Sequence, residues 1–226
     1  KKNYQEIKNF IKGTIAENSQ IIPVSAQHNV NIDILLEIIA NITTPKRDPT
    51  KPPLMFIARS FDINKPGTEV EKLVGGVLGG SLKQGKLKVN DEIEIRPGIK
   101  EISHGKVKWV PLRTKISDLK TGGLSVKEVQ PGGSIGVLTE LDPSLVKSDS
   151  LSGNILGHPD NLPEVYYELN LKPHLLDRVI GTKEEIKVEP IKKAESLLLN
   201  VNSATTLGLV AELKKDQFHV ILKLPV

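Results

Sequence analysis

The sequence predicts a mainly β protein: two consecutive β-barrels preceded by a short α-β-α segment. Three observations carry the prediction. Apolar residues recur at helical spacing only within residues 1–46. A polar, proline-rich stretch follows. From there to the last residue the periodicity is strand-like and is punctuated by turn formers.

Taken in order, Tyr4, Ile7 and Ile11 recur at helical spacing and mark a first helix, with Gly13 as its C-terminal cap. Ile21-Ile22-Pro23-Val24 is a short apolar run suited to a strand buried on both faces. Asn31 is placed to cap the second helix, Asp33 favours its dipole, and Ile32, Leu35, Leu36 and Ile39 form its apolar side. One buried parallel strand between two helices leaves its backbone groups unpaired unless other strands flank it. Residues 1–46 are therefore expected to be the end of an α/β domain that begins upstream. The absence of an initiator methionine at Lys1 agrees.

Thr43–Pro53 is the proline-rich stretch, with the linker itself set at 47–52. Beyond it Asp91–Ile95, Gly105–Val110, Val165–Leu171, Glu185–Ile191 and Gln217–Leu224 alternate polar and apolar residues. Turns are expected at Lys65-Pro66-Gly67, Arg96-Pro97-Gly98, Pro131-Gly132-Gly133 and His158-Pro159-Asp160. Short alternating strands with regular turns indicate barrels. A boundary near His158–Leu162 gives a first barrel at 53–157 and a second at 158–226. The last alternating run reaches the end of the chain, so the second barrel is expected to lack its closing strands. Gly75-Gly76 and Gly79-Gly80 flank Val77-Leu78 in a strand-like segment. There glycine implies a bulge, a barrel corner or close approach by another group.

Composition excludes several classes. With no cysteine among 226 residues, disulfides and cysteine-zinc sites are ruled out. Five scattered histidines offer no ligand spacing, so no metal site is proposed. No apolar run approaches the ~18 residues of a membrane span. The net charge of +4 lies before residue 160 and is compatible with phosphate contacts. Gly80–Lys86 nearly spells a phosphate loop, but Leu87 follows where magnesium needs Ser or Thr, and a strand follows where a helix is needed. Gly132–Gly136 spells a nucleophile elbow without the helix or the His/Asp context. No catalytic residue is assigned within the chain.

The run Ser60–Gly67, then Gly75–Ser81, Gly85–Val89 and Asp91–Gly98, resembles the second domain of a translation GTPase. Its wording is similar to the gamma subunit of initiation factor 2 in its archaeal form. Pro131–Gly136, Leu141–Leu145, Leu175–Gly181 and Leu197–Leu209 extend the resemblance over the whole chain. It implies that 1–46 closes a P-loop GTPase domain and that the barrels are domains II and III. It further implies a cytoplasmic, GTP-dependent carrier of methionylated initiator tRNA, acting on the small ribosomal subunit. The alpha subunit would sit on domain II and the beta subunit on the G domain. GTP or GDP with magnesium would be held mostly by residues upstream. Ser25, Ala26 and Gln27 resemble the guanine-contact loop, at a strand end of the kind where open α/β sheets place ligands. Gly76, Val77 and Gly79, with Ser134 and Gly136 on the neighbouring strand, are implied to meet the tRNA's terminal adenosine. Asn90 replaces the glycine common in that turn and tolerates the left-handed conformation. The alternatives are an elongation-type aminoacyl-tRNA carrier, disfavoured by the 64–67 loop and the 100–109 insertion, and a barrel that binds only protein.

Overall fold

Alternation closes into a barrel between residues 54 and 157. The strands are β1 (Leu54–Phe61), β2 (Val77–Gln84), β3 (Leu87–Lys88), β4 (Glu92–Ser103), β5 (Lys106–Thr121), β6 (Leu124–Val126), β7 (Glu128–Val129), β8 (Ile135–Thr139) and β9 (Ile155–Gly157). Six of them close a ring in the order β4-β9-β1-β2-β8-β5, with β5 returning to β4. Inward-facing Met55, Ile57, Leu78, Leu82, Ile93, Ile95, Ile116, Leu119, Val137 and Leu156 are buried almost completely. Closure leaves no edge in this ring, and its aliphatic centre accounts for its stability. This computed structural model describes residues 2–103, 105–179 and 186–226.

Two of the barrel's register slips, one in β1 and one in β5, shape its wall where they invert the alternation. Met55 and Ile57 face inward, yet the next inward residue of β1 is Ser60, because the register slips between Ile57 and Arg59. Ile116 and Leu119 face inward on β5, with a second slip between Ile116 and Asp118. Each slip inverts the alternation, so Arg59, Phe61, Asp118 and Lys120 turn outward. At the turn before β4, Asn90 has φ 72°, the left-handed conformation anticipated for it.

The second antiparallel sheet contains β10 (Glu168–Leu171), β11 (Ser196–Val201), β12 (Ala204–Leu213) and β13 (Phe218–Leu222), in the order β10-β13-β12-β11. No pairing closes it among the described residues. Val210, Phe218, Val220 and Leu222 are buried on one face. Its link to the barrel is pinned by Glu94, only 2% exposed, which accepts from Arg96 Nε and, at 2.7 Å, from Arg113 Nε. Arg96 Nη1 then donates to the carbonyls of Leu162 and Pro163 at 3.1 and 2.9 Å.

Barrel and sheet form one compact unit, Arg47–Lys172 with Lys192–Val226. The other unit is Lys1–Lys46 with Pro173–Ile191, so a segment expected inside the second barrel groups with the amino-terminal residues. That unit holds α1 (Lys2–Ile11) and α2 (Ile32–Ala40), neither with a buried residue. Arg178 Nη2 donates to the carbonyls of Phe10 and Lys12 at 2.9 Å, capping the carboxy end of α1 with a cation.

Four sequence expectations are corrected. Ile21–Val24 forms no strand, since no partner strand lies beside it among the described residues. Asn31 precedes α2 in the left-handed conformation at φ 57° with no side-chain cap, because its amide donates to the Pro23 carbonyl instead. Arg96-Pro97-Gly98 is not a turn: β4 runs through it with a register slip between Ile95 and Ile99. In the expected strand Glu185–Ile191, Lys187 makes only an isolated bridge to Arg178, and Glu185 lies outside the described residues. Ile180 and Gly181 of the resemblance also lie outside them.

Candidate functional site

The inverted alternation assembles a face on the outside of the barrel. Phe61 pairs with Val77, Val77 with Leu138, and Leu138 with Asp118. Arg59 pairs with Gly79, Gly79 with Gly136, and Gly136 with Lys120. Four strands therefore present two adjacent rungs. One is apolar and ends in a carboxylate. The other has a bare-backbone centre between two cations. A groove of about 250 Å³ lies over the apolar rung and over Gly136 and Lys120 of the other, lined also by Ile63. Arg59 is fixed by Asp149, whose Oδ1 accepts from Arg59 Nε at 2.8 Å and from the Ser60 N–H at 3.0 Å. That pairing holds the Asp149 carboxyl below the usual range, the Arg59 side-chain bond first and the Ser60 backbone bond second.

The glycines divide into two kinds. A Cβ at Gly75 or Gly80 would lie 1.9 or 2.0 Å from a backbone carbonyl oxygen, and one at Gly76 would strike Val146 at 2.4 Å. Those three are required by packing. A Cβ at Gly79 would meet nothing nearer than 3.5 Å, and one at Gly136 nothing nearer than 3.9 Å. Neither has a positive φ. The fold does not need glycine at 79 or 136, so the bare backbone there is available to whatever lies on it.

Of the residues anticipated for the terminal adenosine, Val77, Gly79 and Gly136 thus share one face. Ser134 is exposed just before β8, its carbonyl accepting from Thr121 Oγ1 at 3.3 Å. Gly76 points its missing side chain at Val146 and engages Leu141 and Thr139 through its backbone, away from the face. Sequence reasoning missed Arg59, Phe61, Leu138, Asp118 and Lys120. The clue was a broken period of two, in Ile57-Ala58-Arg59-Ser60 and Ile116-Ser117-Asp118-Leu119, read without a bulge.

In the other unit, Ser25 and Val30 exchange backbone hydrogen bonds at 3.2 and 3.0 Å, closing a loop over Ala26 and Gln27. Ala26 and Gln27 are exposed, and their N–H groups bond to no group among the described residues. No cluster of metal-ligating side chains occurs among the described residues. No helix among the described residues is long and apolar enough to cross a membrane.

A closed barrel with a second antiparallel sheet is the architecture of translation factors. The chain is similar to a bacterial selenocysteine-specific elongation factor, EF-Sec, with TM-score 0.71 and 20% identity, over 99% of this chain and 32% of that one. It is similar also to elongation factor SelB from Methanococcus maripaludis in complex with the GTP analogue GppNHp, with TM-score 0.73 and 18% identity, over 100% of this chain and 48% of that one. Residues 167–226 match the family described as initiation factor eIF2 gamma, C terminal. Translation initiation factor 2 subunit gamma of Pyrococcus horikoshii is 58% identical over 225 residues, and that of Methanocaldococcus jannaschii 54%. Each alignment takes in 99% of this chain and 55% of the relative. The chain belongs to the translation initiation factor 2 gamma family, and it spans about half the length of the curated relatives it matches.

Proposed function

We propose that the protein carrying this chain is a cytoplasmic GTPase that binds methionylated initiator tRNA and delivers it to the small ribosomal subunit. Its partners are the alpha subunit on the barrel domain and the beta subunit on the G domain. The observation that supports this reading best is the two-rung face. Its glycine centre admits a base and ribose against the backbone, and Arg59 and Lys120 offer charge for phosphates on either side. The apolar rung beside it suits an esterified methionyl side chain. The free N–H groups of Ala26 and Gln27 suit the guanine oxygen, with magnesium and phosphates held by residues upstream. Phosphoryl transfer needs a phosphate loop and switch residues. Residues 1–226 by themselves are therefore expected to bind GTP no better than roughly millimolar, the range of a single residual contact.

Filter binding with the full-length protein and a non-hydrolysable GTP analogue tests the reading. Gly136→Ala covers the glycine floor with a methyl that comes no nearer than 3.9 Å to any atom of the fold. It should weaken methionylated tRNA roughly tenfold, the scale of one lost base contact, with GTP affinity unchanged. Unaltered tRNA affinity would overturn it.

A second reading, protein docking through domain II, is favoured by the β4–β5 ribbon. Among the described residues, 99–103 and 106–110 pair only with each other, and Ile102 and Val107 are 70% and 55% exposed at its end. The two uses occupy different parts of the barrel and are compatible.

A further inference from the structure

The bulge in β5 turns a carboxylate onto an apolar surface. Without it, Asp118 would continue the inward series of Ile116; with it, Leu119 takes the core and Asp118 closes the rung Phe61–Val77–Leu138. Asp118 is half-buried and has no cationic partner among the described residues. Its one side-chain bond is from Ser125 Oγ to Oδ2 at 3.0 Å, which steadies the group and leaves Oδ1 open. Lys120, two residues on, makes no ion pair among the described residues either. The face thus holds an unneutralised carboxylate at the end of its apolar rung and an unneutralised ammonium at the end of its glycine rung.

A half-buried carboxylate beside apolar side chains is costly unless something cationic completes it. Phosphates are repelled from it and drawn to the Arg59–Lys120 rung, which fixes the direction in which a nucleotide lies. An acyl group esterified to that nucleotide then extends over Phe61, Val77 and Leu138 towards Asp118. The only cation such an aminoacyl ester carries is its protonated α-amino group.

We infer that Asp118 is a specificity-determining residue that accepts hydrogen bonds from the α-ammonium of the aminoacyl ester, so that the groove selects a free-amine aminoacyl-adenosine over an N-acylated one. This rests on the reading of the face as the seat of the charged tRNA end. An N-acylated amine carries no charge and offers one donor where the ammonium offers three, and its acyl group must occupy the space before the carboxylate. A charge-assisted bond of this type shifts affinity by roughly tenfold to a hundredfold.

The experiment uses the full-length factor with a non-hydrolysable GTP analogue. Binding of methionylated, N-formylmethionylated and uncharged initiator tRNA is measured for the unaltered protein, Asp118→Asn and Asp118→Glu. The unaltered protein should prefer the methionylated form over the formylated one by tenfold or more. Asp118→Asn should bring the methionylated affinity down to the formylated level and leave the other two forms within about twofold. Asp118→Glu should keep most of the preference. An undiminished preference in Asp118→Asn overturns the inference, as does an equal loss across all three tRNA forms. The parent reading is separately checked by Gly136→Ala. If that change weakens all charged forms while Asp118→Asn keeps the preference, the site stands and the role of Asp118 falls. If Gly136→Ala alters nothing, both fall.

Discussion

The closed barrel and the four-stranded sheet are built from the same alternation but spend it differently. In the barrel the inward positions are buried and, apart from a few such as Ser60 and Thr139, aliphatic, and the outward face between the bulges in β1 and β5 is free to be bare or charged. In the sheet, apolar residues lie on both faces. Val210, Val220 and Leu222 are buried, whereas Leu198, Leu207, Leu209 and Ile221 on the other face are 69%, 43%, 46% and 48% exposed. Closure satisfies every strand edge within the barrel, so its outer surface carries no structural obligation. Among the described residues the sheet keeps two edge strands, β10 and β11, and an apolar surface on each side. A surface with no packing duty can be shaped for a ligand.

The sharpest contrast is in side-chain removal. Leu78→Ala should cost about 2–5 kcal/mol, since the side chain is fully buried in the barrel. Leu207→Ala, on the exposed face of the sheet, should cost less than about 0.5 kcal/mol. Urea midpoints compare them, and equal losses would mean that the outer face of the sheet is a second core. The glycine pair sharpens the same point within one strand. Gly80→Ala forces a Cβ to 2.0 Å from the Phe56 carbonyl and should cost about 1–3 kcal/mol, as overpacking does. Gly79→Ala, its neighbour, should be neutral or stabilising by about 0.4–1 kcal/mol while weakening tRNA binding. A destabilising Gly79→Ala would show that the barrel needs this glycine and would remove the argument for a ligand.

What the sequence made legible follows from the same physics. Alternation located the barrel strands, because a one-sided burial demand writes itself every second residue. It failed where a bulge changed the parity, so the outward turn of Arg59, Phe61, Asp118 and Lys120 went unread, whereas Val77, Gly79 and Gly136 were named through the family resemblance and not through alternation. Arg96-Pro97-Gly98 was taken for a turn because those residues usually break strands. Here a register slip absorbs them, and the Gly98 N–H donates to the Asn154 side chain at 2.7 Å. Gly76 was grouped with Val77 and Gly79 because sequence cannot distinguish a glycine that packing requires, here against Val146, from one that packing does not. The expected strand Ile21–Val24 depended on neighbours that are not among the described residues.

The smallest effect concerns the border of the face. Three carboxylates, Asp62, Asp142 and Asp149, hold the β1 end and the Pro143–Asp149 turn of helix beside it. All three have pKa values below the usual range. For Asp62 the first cause is the Asn64 backbone N–H, for Asp142 the Ser144 side-chain hydroxyl, and for Asp149 the Arg59 guanidinium. A group whose folded value is depressed contributes stability that is complete above its unfolded value, about 3.9 for aspartate, and is lost as pH falls through the folded value. Asp149→Asn should therefore lower the melting temperature slightly at pH 6–7. The gap to the unaltered protein should then narrow below about pH 4 and vanish once both carry a neutral group. Because the Arg59–Asp149 pair is solvent-exposed, roughly 0.5 M salt should also narrow the gap at neutral pH. Melting curves across pH 2–7 decide it. A gap that does not change with pH would mean that the carboxylate's shape, not its charge, ties Arg59 to the rim. Arg59 would then be no more fixed beside the glycine rung than Lys120 is.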